Sequence, residues 1–250
     1  MTAPQVFDAH LHIIDPRFPM QPNHGYLPPA FTASDYRQRV GHLNVTGGAV
    51  VSGSFQAFDQ SYLRHALAAL GNGYVGVTQI PAETADLTIE RLNDDGVRAV
   101  RFNVRRGGSA DIADIDRFAH RVYEVAGWHC ELYIDSLALA DLYPVLSKLP
   151  QVCIDHLGLS ADGLPDLLAL VEAGSYVKAT GFGRIDVNPA KAMSQILSIN
   201  PHSLVFGTDL PSTRADRPFS DADLAVVIDA AGPEHVDDVL WRNAHRLYRI

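Results

Sequence analysis

The feature that most constrains this chain is a regular alternation along its length. Short β-rich runs fall at Val6–Ile14, Gly47–Ser54, Tyr74–Ile80, Val97–Val104, His129–Asp135, Gln151–Gly158, Ser175–Gly183 and Ser203–Asp209. Between them lie stretches whose apolar residues recur at helical spacing. Ser61–Leu70 places Tyr62, Leu63, Ala66, Leu67 and Leu70 on one side, and Ala113–Ala126 does the same with Ile115, Phe118, Ala119, Val122 and Val125. Pro165–Ala173, Pro189–Ile199, Asp221–Ala231 and Glu234–Leu247 read as further helices, with Pro165 and Pro189 in first turns and Gly127 and Gly174 as C-terminal caps. Strand centres recur mostly every 22–31 residues, the length of one strand–helix unit. Strict alternation implies parallel strands joined by right-handed crossovers. Eight units in 250 residues predict one α/β domain, residues 1–250, folded as a (β/α)8 TIM barrel. An open doubly wound sheet is the competitor, but no Gly-rich nucleotide loop follows the first strand. In a barrel the active site belongs at the C-terminal ends of the strands.

Composition narrows the function classes. With 47% hydrophobic and 20% charged residues the chain can bury a core without disulfide or metal staples. Twenty basic against 29 acidic residues, a net of −9, argue against a nucleic-acid partner. Cys130 and Cys153 make no disulfide framework and no zinc knuckle, and read as small buried apolar residues. The N-terminus has no basic segment before an apolar core, and no apolar run approaches the roughly 18 residues of a membrane span. The expectation is a cytoplasmic protein with no membrane partner. The outer helices carry no long apolar stripe that demands a protein partner.

One interval is irregular. About 30 residues separate the first two strands, and residues 16–29 hold five of the 15 prolines. Such a segment in a barrel is expected to cover the catalytic face, and it carries His24 and Tyr26.

Polar residues gather where strands end. The first run reads Phe7-Asp8-Ala9-His10-Leu11-His12, so Asp8, His10 and His12 are expected to share one strand face. Two imidazoles there can ligate a divalent metal or donate to a bound carbonyl. His156 ends the sixth run. Asp209 ends the eighth, where a carboxylate serves as general base on water or as metal ligand. Arg101, Arg105, Arg106 and Arg184 stand near strand ends. Guanidiniums converging on one mouth make a carboxylate or phosphate site, and internal ion pairing is the alternative.

Taken together, the set resembles the amidohydrolase superfamily, in the amidohydrolase 2 branch that holds 2-pyrone-4,6-dicarboxylate lactonase and sugar-lactone hydrolases. The resemblance covers nearly the whole chain. It rests on Asp8–His12, Val97–Asn103, Ile154–Gly158, Val177–Gly181, Phe206–Asp209 and the closing Leu240–Tyr248. It implies a hydrolase that opens a small anionic lactone. The residue matching Asp209 takes a proton from water, and those matching His10, His12 and His156 polarise the carbonyl. In the pyrone-dicarboxylate lactonase, arginines on the fourth and seventh strands hold substrate carboxylates. Arg101 and Arg184 match them, Arg106 matches more loosely, and Tyr26 resembles a loop tyrosine that touches substrate.

The chain departs from the metal-dependent members in one place. Tyr133 stands where they carry a fifth-strand histidine, and no bridging lysine or glutamate ends the fourth strand. A binuclear centre is therefore not expected. A metal-free site is favoured over a single zinc on His10, His12 and Asp209, because the arginines already supply positive charge. Leu210 replaces a tryptophan of close relatives. Two rival readings stay open: a metal-dependent decarboxylase of the same branch, and a non-catalytic barrel that binds small anions.

Overall fold

The computed structural model describes residues 4–250. Met1, Thr2 and Ala3, part of the N-terminal stretch inspected for a signal peptide, lie outside the described residues. Eight parallel strands pair in chain order: β1 (Val6–Leu11), β2 (Val45–Val51), β3 (Tyr74–Thr78), β4 (Val97–Phe102), β5 (His129–Leu132), β6 (Val152–Ile154), β7 (Tyr176–Ala179) and β8 (Leu204–Phe206). The helices between and after them are α1 (Ala33–Val40), α2 (Ser61–Leu70), α3 (Asp86–Asp94), α4 (Ile115–Ala126), α5 (Leu139–Leu146), α6 (Leu164–Glu172), α7 (Pro189–Ile199), α8 (Asp221–Asp237) and α9 (Asn243–Tyr248). This is the expected (β/α)8 barrel. Among the described residues no helix is long and apolar enough to cross a membrane.

The strands are shorter than the β-rich runs. Their last residues leave the ladder and turn into the mouth, and those residues carry the polar side chains. α1, α3 and α5 were not marked by apolar periodicity. α1 buries only Tyr36 and Val40, α3 only Ile89 and Leu92, and the short α5 holds Pro144 within it. The two helical stretches expected near the C-terminus meet at Gly232, whose φ of +62 breaks the helix.

Closure joins β8 to β1. The Asp209 N–H donates to His10 O and the His12 N–H to Leu210 O, both at 2.7 Å. Gly207 makes this approach feasible, because a Cβ there would lie 2.7 Å from the His10 nitrogen. Asp8 fastens the same seam. Its Oδ1 accepts from the backbone N–H groups of Thr208 (2.8 Å) and His10 (3.2 Å). Its Oδ2 accepts from the Thr208 hydroxyl (2.7 Å) and the Tyr36 phenol (2.9 Å). Burial pushes this carboxyl up to about 6, against the pull of the four donors.

Asp8 therefore does not share the histidines' face. β1 holds one extra residue between the Asp8–Gly48 and Leu11–Val50 partners. That bulge shifts the side-chain alternation. Phe7 and Ala9 point into the barrel with Val75 and Val205, while Leu11 and Ile13 pack outward with Tyr36 of α1. Asp8 falls on the helix side and His10 and His12 fall inside. The barrel floor is apolar and is plugged by Ala244, Leu247 and Tyr248 of α9. The mouth is polar. Cys130 and Cys153 are buried free thiols, and burial pushes both thiols up.

Removing the Asp8 carboxylate strands several buried donors, each worth about 1–3 kcal/mol when unpaired. Asp8→Ala is expected to lower stability by about 3 kcal/mol or more in urea unfolding. An unchanged midpoint would contradict the role of the seam.

Candidate active site

Four strands deliver the central side chains. β1 carries His10 and leads directly into His12, Asp155 and His156 follow β6, and Asp209 follows β8. Arg184 closes a turn after β7, where its N–H donates to Gly181 O at 2.9 Å. His156 and Asp209 have φ values of +54 and +60, a left-handed conformation that costs non-glycine residues energy and clusters at functional sites. Gly181, at φ +65, leaves the room that His156 needs, because a Cβ there would lie 2.5 Å from His156 Nδ1.

His10, His12 and Asp209 converge. Asp209 Oδ1 lies 3.7 Å from His10 Nε2 and 3.6 Å from His12 Nε2. His12 Nδ1 stands 2.7 Å from the Val51 carbonyl, which only accepts, so Nδ1 carries a proton and in the neutral ring Nε2 presents a lone pair. Asp209 Oδ1 and His10 Nε2 are buried and have no hydrogen-bond partner. The other carboxylate oxygen is taken by Arg184, through Nε at 3.0 Å and Nη2 at 2.5 Å. Burial alone would raise the Asp209 carboxyl, but the Arg184 charge overrides it and holds the group far below its ordinary range. Burial lowers His10 to about 4 and takes His156 well below its ordinary value, so both rings are neutral near pH 7.

A second set of charges lies below. Arg101 does not face the mouth freely. Its Nη2 and Nε donate to Asp155 Oδ2 at 2.8 and 3.2 Å, and its Nη1 donates to Ser52 O at 2.8 Å. Lys178, fully buried on β7, contacts Glu131 Oε2, with His10 Nδ1 at 3.3 Å and Asp155 Oδ1 at 3.5 Å. Glu131 also accepts from the Tyr248 phenol at 2.6 Å and faces His129 at 3.2 Å.

Above these groups opens a pocket walled by Arg101, Asn103, Arg106, Tyr133, Arg184 and Arg214 with His12, His156 and Asp209 at its base. The Tyr133 ring packs edge-on to His156 with centroids 5.1 Å apart, and its hydroxyl accepts from Arg184 at 3.4 Å. The Pro-rich loop lies against this rim. Tyr26 stacks under the Arg214 guanidinium at 4.4 Å, and Asn23 Nδ2 donates to Arg106 O at 2.9 Å. His24 is exposed. Arg105 turns outward to Asp135 at 3.0 Å. Among the described residues the Arg106 side chain has no ion-pair partner. An acidic chain thus presents a cationic mouth.

The side chains fit a single divalent ion. His10, His12 and Asp209 offer ligand atoms within 4.8 Å of one another, and two of these atoms are the orphaned His10 Nε2 and Asp209 Oδ1. β5 adds Tyr133 at this level and no imidazole.

Lys178, Glu131, Asp155 and Arg214 received no role from the sequence. The first three sit inside β-rich runs, Glu131 two residues before Tyr133, Asp155 next to His156 and Lys178 six residues before Arg184. That spacing was the available signal. Arg214 lies in a loop, where sequence spacing places nothing.

A family model described as amidohydrolase matches residues 7–250. A 2-pyrone-4,6-dicarboxylate hydrolase of Comamonas testosteroni is 32% identical over 158 residues, 60% of this chain and 51% of that protein, so the match spans about half of the relative's length. A D-galactarolactone isomerase of Agrobacterium fabrum is 24% identical over 221 residues, 82% of this chain and 75% of that protein. In fold, an Acinetobacter baumannii protein described as a probable 2-pyrone-4,6-dicarboxylic acid hydrolase, solved with citric acid bound, superposes with a TM-score of 0.84 at 20% identity. That superposition covers 98% of this chain and 99% of the other.

Arg184 offsets a carboxylate that is otherwise buried and alone. Breaking a buried pair costs about 3–5 kcal/mol when one charge is left behind. Arg184→Met is expected to lose about 3 kcal/mol in urea unfolding, with Arg184→Lys losing less. Equal stability of Arg184→Met and the parent would show that Asp209 does not depend on this cation.

Proposed function

The chain belongs to the amidohydrolase family, and from that premise we propose that it is a hydrolase opening a lactone ring that bears one or more carboxylates. The observation that carries this reading is the free Asp209 Oδ1, buried against two imidazoles at the base of an arginine-walled pocket. Asp209 Oδ1 takes a proton from a water molecule. The water oxygen adds to the lactone carbonyl carbon, the bond from that carbon to the ring oxygen breaks, and the ring oxygen leaves with the proton. His10 and His156 face the carbonyl oxygen as its charge grows, a role commonly worth several kcal/mol, and His12, whose Nδ1 is tied to Val51 O, orients the attacking water through Nε2. Arg106 and Arg214 hold the substrate carboxylate at the rim, with Arg184 and Arg101 deeper in the same wall. Tyr26 supports Arg214 from below. A divalent ion held by His10, His12 and Asp209 would supply further polarisation of the carbonyl.

The named substrates of the relatives, a pyrone dicarboxylate and a sugar-acid lactone, support this substrate class. Tyr133, in place of a fifth-strand imidazole ligand, weighs against the decarboxylase reading. The orphaned catalytic atoms weigh against a silent anion-binding barrel. Residues 1–250 act as one catalytic unit in this account.

Asp209→Asn is expected to reduce turnover of a carboxylated lactone at least a thousandfold while the circular dichroism stays native. Near-parental turnover would remove Asp209 as the base. Arg106→Met is expected to raise KM for a carboxylated lactone about tenfold and to leave a neutral lactone unaffected. Equal loss on both substrates would contradict a carboxylate clamp.

A further inference from the structure

We infer that Lys178 is a positioning residue that fixes the tautomer of His10, keeping its proton on Nε2, the atom that faces Asp209 Oδ1. Lys178 Nζ forms a hydrogen bond with His10 Nδ1 at 3.3 Å. An ammonium has protons and no lone pair, so it can only donate and Nδ1 can only accept. A neutral imidazole has one proton, which this contact leaves on Nε2.

Asp155 is the competitor. Its Oδ1 also lies 3.3 Å from His10 Nδ1 and would accept a proton placed there. Yet that oxygen makes no hydrogen bond, and its partner Oδ2 is drawn to Arg101 by two donors. Lys178 is not free to turn away. Glu131 grips it from the other side, and Glu131 is itself fixed by the Tyr248 phenol at the tip of α9.

The two histidines of β1 then hold opposite tautomers. His12, protonated on Nδ1 by its contact with Val51 O, offers an acceptor at Nε2. His10 offers a donor. One ring can orient a water and the other can donate to a carbonyl oxygen, which is the division of labour that lactone opening needs. The same Nε2 proton occupies the lone pair that a divalent ion would use. Lys178 thus biases this site toward hydrogen-bond catalysis. The consequence for substrate rests on the lactone-hydrolase reading, whereas the tautomer does not.

The test reads the ring itself. The full chain, labelled with ¹⁵N-histidine and free of substrate, is examined at pH 7 by two-bond ¹H–¹⁵N correlation, with His10 assigned by loss of its signals in His10→Gln. The expected spectrum shows His10 protonated at Nε2, and Lys178→Met moves the proton to Nδ1, facing Asp155. Binding of zinc chloride, followed by calorimetry, is expected to tighten at least tenfold in Lys178→Met, in line with the 10–100-fold effects typical of groups that orient metal-ligating histidines. A His10 protonated at Nδ1 in the parent protein would overturn the inference, as would an unchanged His10 spectrum in a folded Lys178→Met. Should that variant not fold, the parent spectrum decides alone. A failed lactone assay leaves these outcomes standing, so the two readings fail separately.

Discussion

The structure depends on charges that cancel inside the barrel. Glu131 and Asp155 are offset by Lys178 and Arg101, and higher up Asp209 is offset by Arg184. Each ion is expensive to bury alone, and these pairs are tolerable only because each of the three carboxylates has a cation in contact. This balance has a chemical consequence. Burial outweighs the pull of Asp155 and Asp209 on a proton, so His10 and His156 enter the site uncharged. Neutral rings can act as donors or acceptors according to their tautomer, which is where Lys178 exerts its effect.

The fold supplies the geometry for this arrangement by ending its strands early. β6 and β8 keep only three residues each in the ladder, and the chain then turns sharply at His156 and Asp209. The left-handed turn at Asp209 is held by the seam between β1 and β8, where Asp8 and Gly207 bring Asp209 against His10. Below, α9 closes the floor and extends Tyr248 to Glu131. The C-terminal helix therefore touches the same ionic chain as the catalytic histidine. The Pro-rich loop does the complementary job at the rim, fixing Arg214 over Tyr26 beside Arg106.

Much of this was legible in the sequence. Strand number, order and direction follow from the alternation, because a parallel sheet leaves few other ways to connect eight such units. His10, His12, His156, Asp209 and Arg184 stood out as polar residues at the ends of apolar runs, and the structure brings them together. Other features were hidden for physical reasons. The β1 bulge reverses the alternation that placed Asp8 with the histidines, and a bulge leaves no mark in composition. Arg101 read as a substrate clamp, and its main partner is Asp155, more than fifty residues away in sequence. Lys178 and Glu131 were visible as charges in apolar strands, but their significance appears only when β5 and β7 face each other across the barrel. The polar helices α1 and α3 bury too few side chains to show a periodic stripe.

In the proposed reaction a cationic mouth presents a carboxylated lactone to Asp209. The most direct measurement is acid release, followed with a pH indicator, from a panel of carboxylated and neutral lactones using chelator-treated protein. Turnover of at least one carboxylated member is expected, with little or none of the neutral ones. Silence across the panel from folded protein, or turnover confined to neutral lactones, would contradict it.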